Sequence, residues 1–261
     1  MTGFGSQHVA LLMLLGLAAC AGARQPATDC PAPAVIIDIG HTAVAPGATA
    51  ASGATEHSYN HRFAALLAKT LQNQGRTIHT VEITGPDPRL DRRVEEIRSI
   101  TYGITHSLVL SVHHDSVQER YLKSRLVDGV ERLYTDTATG FSLFVPAETA
   151  VAGDSLAAAR SIADRLIAAG ERPSRHHAEP IEGENRRLLD QERGIYAGDF
   201  LKILRTAEAP IVLLEIGVIK NPADEQRLSD PSTATAVAEA IAGGATLPCR
   251  VTSPSAARIP G

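Results

Sequence analysis

The chain has 261 residues, 44% of them hydrophobic and 21% charged, with a formal net charge of −4, which suits one large globular domain. The mild negative charge offers no nucleic-acid footprint. The absence of Trp and an aromatic content of 4% argue against a broad stacking platform for sugars or bases, while leaving room for a narrow cleft.

Residues 9–19 are apolar but shorter than the roughly 20 residues a spanning helix needs, so they read as a signal-peptide core within residues 1–19. Leu17-Ala18-Ala19-Cys20 resembles a bacterial lipobox, with cleavage before Cys20 and lipid on that cysteine. Against it, no Lys or Arg precedes Val9, and Ala21-Gly22-Ala23 offers an ordinary signal-peptidase exit. The residue after Cys20 is not Asp, which resembles the pattern for outer-membrane retention in a Gram-negative host. The expectation is an exported, periplasmic chain whose membrane attachment is an N-terminal lipid anchor on Cys20. Residues 20–33 read as a tether and 250–261 as a disordered tail, bracketing a folded domain at 34–249. Cys30 and Cys249 stand at the two ends of that domain and, in an oxidising compartment, predict a disulfide; two unrelated thiols are the alternative.

The domain opens with Ala34-Val35-Ile36-Ile37-Asp38-Ile39-Gly40-His41, a strand ending in Gly and His. Residues 42–55 form a small-residue loop that lets backbone lie close to a ligand. Glu56 opens a helix with Phe63, Leu66, Leu67, Thr70 and Leu71 at i, i+3, i+4 spacing and Gly75 as its stop. A strand over 77–83 and a charged helix over 90–102 follow. That helix has Val94, Ile97 and Thr101 inward, with Arg92, Arg93, Glu95, Glu96 and Arg98 read as mostly solvated. Leu108-Val109-Leu110-Ser111-Val112-His113-His114-Asp115-Ser116 is a buried strand that stops abruptly in two imidazoles and a carboxylate. Residues 118–139 are polar and poorly periodic, a long excursion. A short strand over 141–145, an Ala-rich helix over 156–169 and a second polar excursion over 172–193 come next, then 197–204, which fits strand or helix equally. Pro210-Ile211-Val212-Leu213-Leu214-Glu215-Ile216-Gly217 is a clear strand carrying one carboxylate, and a final helix runs over 223–243. Strands alternating with helices predict one α/β domain.

Strands laid side by side in a parallel sheet bring His41, His113 and Glu215 to one rim, where α/β sheets bind ligands. Hydrolytic zinc commonly takes three protein ligands, often two His and one carboxylate, and His41, Glu56 and His113 fit that set from three separate elements. His57 and His61 sit at i, i+4, yet no Glu follows His57 as in the His-Glu-x-x-His arrangement, so they read as surface or site-lining. His79 and His106 read as structural or exposed, and His176-His177 as lining the cleft. Glu215 has two readings: partner of a structural Arg such as Arg89, Arg92 or Arg205, or general base and acid. A charge buried among aliphatics favours the second.

Four ordered stretches, Val35 to His41, Gly53-Ala54-Thr55-Glu56 before a helix, Ser111 to Ser116, and Val212 to Gly217 with Asn221-Pro222, resemble the zinc-dependent N-acetylmuramoyl-L-alanine amidases of the amidase-3 type. Arg89-Leu90-Asp91-Arg92-Arg93-Val94 resembles their Leu-x-x-Arg-Val helix, and the resemblance runs from about 34 to 243. It implies a single α/β domain with a twisted, mostly parallel sheet flanked by helices. It further implies one zinc (Zn2+) per chain on His41, Glu56 and His113, and Glu215 as catalytic acid/base. The implied substrate is peptidoglycan, cut at the amide between N-acetylmuramic acid and L-alanine. A zinc peptidase on another muropeptide bond and a catalytically silent peptidoglycan-binding lipoprotein are the alternatives. Ile39 stands where Pro is usual, and His114-Asp115 replace a small residue and Asn, which opens a substrate or metal role for His114. Some family members cover the metal with an inserted segment that a protein activator removes, and 118–139 and 172–193 are the candidate segments. The chain itself is expected to be a monomer.

Overall fold

The computed structural model describes residues 31–249. The signal segment, Cys20, Cys30, the tether up to residue 30 and the tail over 250–261 lie outside the described residues. The pairing of Cys249 with Cys30 stays a proposal.

Seven strands build the central sheet in the order β2-β1-β3-β9-β6-β8-β7. They are β1 (Ala34–Ile39), β2 (Ile78–Val81), β3 (Ser107–Asp115), β6 (Ser142–Val145), β7 (Leu188–Asp190), β8 (Ile195–Ala197) and β9 (Ile211–Val218). β2, β1, β3 and β9 run parallel, and β6 and β7 each pair antiparallel with a neighbour. The middle strands are continuous aliphatic runs because both faces are covered. On one face Val35, Ile37, Leu108, Leu110, Val212 and Leu214 pack under α1 (Glu56–Asn73), α3 (Ala152–Ala168) and α6 (Pro231–Gly244). On the other, Ile36, Val109 and Leu213 meet Ile97 of α2 (Asp91–Tyr102) and Ile203 and Leu204 of α4 (Lys202–Arg205). This is the single α/β domain that the alternation of strands and helices predicts.

The element that positions the site most is α1. Thr55 caps it through a hydroxyl that accepts from Ser58 N at 3.3 Å, and Glu56 occupies the first turn, where the helix dipole favours a carboxylate.

Two sequence expectations change. Residues 118–139 are not structureless: β4 (Lys123–Val127) and β5 (Val130–Tyr134) form an antiparallel hairpin. Its turn is Asp128-Gly129, both at positive φ, 50° and 78°, the conformation that a two-residue hairpin turn demands. The final helix over 223–243 is two helices, α5 (Pro222–Ser229) and α6, because Pro231 cannot donate a backbone hydrogen bond and Asp230 adopts extended backbone to cap α6 through Thr233 N at 2.9 Å. The stretch 197–204 resolves into the end of β8 and the short helix α4.

Candidate metal centre and active site

β1, β3 and β9 lie side by side and parallel, so their C-terminal ends share one rim. His41 follows β1, His113 is near the end of β3, and Glu215 is His113's register partner on β9. Glu56 approaches that rim from the first turn of α1. One carboxylate oxygen of Glu56 stands 3.0 Å from His41 Nε2 and 3.1 Å from His113 Nδ1. The three donor atoms lie within 4.8 Å of one another. Ligands held at about 2.0–2.1 Å around a tetrahedral zinc stand roughly 3.3 Å apart, so the set His41, Glu56 and His113 fits such an ion closely. His41 is 32% exposed, which leaves the cluster open to solvent.

The surrounding backbone is built for close approach. A Cβ on Gly40 would lie 2.5 Å from the His113 ring, and one on Gly47, at φ +74°, would lie 2.4 Å from Glu56 Oε2 and 2.7 Å from His41 Nε2. Ala48 N donates to Glu56 Oε2 at 3.0 Å, orienting the carboxylate. Burial works to raise the Glu56 carboxyl, but hydrogen bonds and charge from His113 and His41 prevail and hold it well below the ordinary carboxylate range. It is therefore ionised, as a metal ligand must be.

His41 itself sits at φ 63°, a left-handed conformation that a non-glycine residue adopts at a cost. Arg93 of α2 fixes it by donating to the His41 carbonyl at 2.7 Å while also binding the Ile39 carbonyl and the Asp38 carboxylate. Arg93 is 3% exposed and Asp38 0%, so the solvated reading of Arg93 is corrected: Arg93 forms a buried ion pair under the His41, Glu56 and His113 cluster. The signal was present, because Asp38 interrupts an aliphatic strand and a buried carboxylate needs a cation.

Glu215 sits in the cleft beside the cluster. Its Oε2 is buried without a hydrogen-bond partner, and the arginine pairing loses ground because Arg89 binds Asp91 at 2.9 Å and Arg92 donates to the Thr84 carbonyl at 3.1 Å. Burial first, then the charges of Asp115 and Glu56, push the Glu215 carboxyl well above its ordinary value, with His177 opposing. A carboxyl so placed holds its proton more tightly than an exposed one. The cleft has a volume of about 260 Å³ and is walled by Glu215, Phe144, Ser116, His177, Glu184 and Arg186. Residues 172–193 thus form a wall of the site, and His177 lines it as expected. Burial lowers the His177 imidazole's proton affinity, but Asp115 and Glu184 outweigh it and raise the pKa to about 10.

His114 points to the opposite sheet face from His113, as strand alternation requires. It packs on Tyr59 and Phe63 with ring centroids 5.5 and 6.2 Å away. Its Nδ1 bonds Asn60 Oδ1 at 2.7 Å, and burial lowers its pKa to about 3. It is a neutral core histidine apart from the metal cluster. His57 and His61 do not chelate together: His57 Nδ1 meets the Gly40 carbonyl at 3.3 Å, and His61 lies 3.7 Å from Glu82.

Comparison with known proteins agrees with this geometry. The apo form of the N-acetylmuramyl-L-alanine amidase Ami1 from Mycobacterium abscessus superposes with a TM-score of 0.60 at 22% identity, over 81% of this chain and 96% of that one. Ami1 from Mycobacterium smegmatis gives 0.60 at 21% identity, over 81% and 94%. The CwlD amidase from Clostridioides difficile, in complex with the GerS lipoprotein, gives 0.55 at 17% identity, over 81% and 95%. At these identities the likeness is one of fold. No curated protein sequence matches the chain. The family model described as Amidase_3, N-acetylmuramoyl-L-alanine amidase, matches residues 35–246, a span holding all of the sheet but Ala34 and all of His41, Glu56, His113 and Glu215, and the chain belongs to that family.

Proposed function

We propose that the protein hydrolyses the amide between the lactyl group of N-acetylmuramic acid and the L-alanine of the peptidoglycan stem peptide. The observation that carries this reading is the meeting, at one sheet rim, of two imidazoles and an ionised carboxylate with a separate buried carboxyl, Glu215. His41, Glu56 and His113 would hold one zinc. The chemistry that zinc supplies when bound is Lewis acidity toward a carbonyl oxygen and a water.

The chain's own residues do the rest. Glu56 and the two histidines are preorganised by Gly40, Gly47, Ala48 N and Arg93. Glu215 accepts a proton from the attacking water at its carboxylate and returns it to the departing alanine nitrogen. Its affinity for a proton, raised by burial, suits both halves of that cycle. The cleft between Phe144 and the 172–193 wall has a volume of about 260 Å³ and holds Glu215 among its lining residues.

Glu215→Gln tests the assignment. The variant is expected to retain the zinc content of the parent while turnover falls by about 10²–10⁴; near-normal turnover removes Glu215 from its role. The zinc peptidase reading is distinguished by product mass, since only an amidase frees the intact stem peptide with an L-Ala amine. We further propose export, a lipid on Cys20 and a periplasmic site of action, on the strength of the apolar segment and Leu17-Ala18-Ala19-Cys20. A protein activator belongs to the same proposal, supported by the GerS lipoprotein found with the CwlD amidase.

A further inference from the structure

A second group of donors stands on the other flank of Glu215. Asp115 ends β3, and His176 and His177 belong to the short 3-10 turn at 176–178. Both imidazoles aim Nε2 at the same oxygen, Asp115 Oδ2, at 3.4 Å from His176 and 2.8 Å from His177. The three donor atoms fall within 4.8 Å of one another, and none of the three residues belongs to the His41, Glu56 and His113 cluster.

Each of these side chains is oriented from behind. His177 Nδ1 is held by Glu184 Oε2 at 2.9 Å and His176 Nδ1 by Ser174 Oγ at 2.9 Å. Asp115 Oδ1 accepts from Ser116 N at 2.7 Å, which leaves Oδ2 for the histidines. Metal-binding histidines characteristically engage the other ring nitrogen with a carboxylate or hydroxyl in this way. His177 is complete, bonded at Nδ1 by Glu184 and at Nε2 by Asp115, so a cation entering here takes the place of its Nε2 proton; the gap in the group is at His176. His176 is 8% exposed, and its Nε2 is buried without a hydrogen-bond partner although it points at Asp115. A buried imidazole nitrogen left so costs free energy. One divalent cation placed among the three donors gives His176 Nε2 its partner, and the two histidine nitrogens stand 3.4 and 2.8 Å from Asp115 Oδ2, near the roughly 3.3 Å between ligands of a tetrahedral ion; the two rings, with centroids 3.9 Å apart, have to splay to receive it.

We propose that Asp115, His176 and His177 form a second divalent metal site, selective for borderline transition ions of the Zn2+ class by virtue of two imidazoles and one carboxylate. Glu184 and Ser174 are its positioning residues, and of its three ligands His177 also lines the cleft that holds Glu215. The site stands independently of the amidase reading, because metal content is measured without substrate.

The test is metal stoichiometry on the purified full chain, stripped with chelator, equilibrated with Zn2+ alone and analysed by equilibrium dialysis and elemental mass spectrometry. The parent is expected to bind two equivalents. His176→Ala and Asp115→Asn are each expected to bind one, His113→Ala also one, and His113→Ala with His176→Ala none. His176→Gln, which keeps volume and polarity, guards against a folding defect, with circular dichroism as the control; it too is expected to bind one. A parent that binds a single equivalent overturns the proposal, as does a second equivalent that survives both His176→Gln and Asp115→Asn in folded protein.

Discussion

Replacing Arg93 with Met is the most informative perturbation of the fold beneath the metal centre. Arg93 and Asp38 are 3% and 0% exposed, and the guanidinium also serves the carbonyls of Ile39 and His41. Asp38 keeps one other partner, the Ser111 hydroxyl at 2.6 Å. Breaking a buried ion pair from one side leaves an uncompensated charge and costs about 3–5 kcal/mol, a large share of the roughly 5–15 kcal/mol that a domain has in total. Met fills much of the volume, so the loss is electrostatic rather than a cavity effect. Adding Asp38→Asn removes the stranded charge and is expected to restore about 2 kcal/mol. Urea unfolding followed by circular dichroism gives both numbers by linear extrapolation. Because His41 loses the contact that holds its left-handed backbone, zinc retention is expected to fall as well. A loss below about 1 kcal/mol for Arg93→Met, or a double variant less stable than the single, would refute this account of the pair.

Three further outcomes are expected. Gly47→Ala sets a methyl group against Glu56 and His41 at a positive φ, and should weaken zinc retention at least about tenfold, read by competition with a chromogenic chelator; unchanged affinity would show that residues 42–55 yield freely. His113→Ala should lose one zinc equivalent and activity together, whereas His114→Gln should keep the metal and lose stability; normal zinc content in the first variant would remove His113 from the ligand set. Tyr59 gives a pH dependence: burial pushes its phenol above the ordinary value, with Ser229 opposing and the Glu225 carboxylate, which it meets at 2.8 Å, adding to the rise. The unfolded chain then releases that proton first as pH climbs, so the stability tied to Tyr59 is complete below about pH 10 and declines as pH rises toward the folded-state value. Tyr59→Phe should cost about 1 kcal/mol at pH 7 and flatten the alkaline decline in urea midpoint; an unaltered decline would contradict the assignment.

The sheet and the convergence of His41, Glu56 and His113 were legible because their signals are local. Aliphatic runs that stop at His41, His113 and Glu215 announce buried strands with chemistry at their ends, and Thr55-Glu56 announces a helix start. What escaped depends on long-range partners or on turn chemistry that was passed over. Arg93 is one arginine among several on a charged helix, and only the fold shows that it reaches Asp38. Asp128-Gly129 is a hairpin turn in a stretch whose strands are mostly exposed, so no alternation of apolar and polar residues marks it. A single helix over 223–243 overlooks Pro231, which cannot donate inside a helix and so separates α5 from α6. His176 and His177 sit in a polar segment without periodicity, and their convergence on Asp115, 61 and 62 positions earlier in the sequence, has no local signature.

The most direct measurement digests isolated peptidoglycan with the purified protein, with and without chelator, and identifies the released fragments by mass. The account predicts free stem peptides beginning with an L-alanine amine, lost on chelation and restored by zinc. Shortened peptides, or release that is indifferent to chelator, would contradict it.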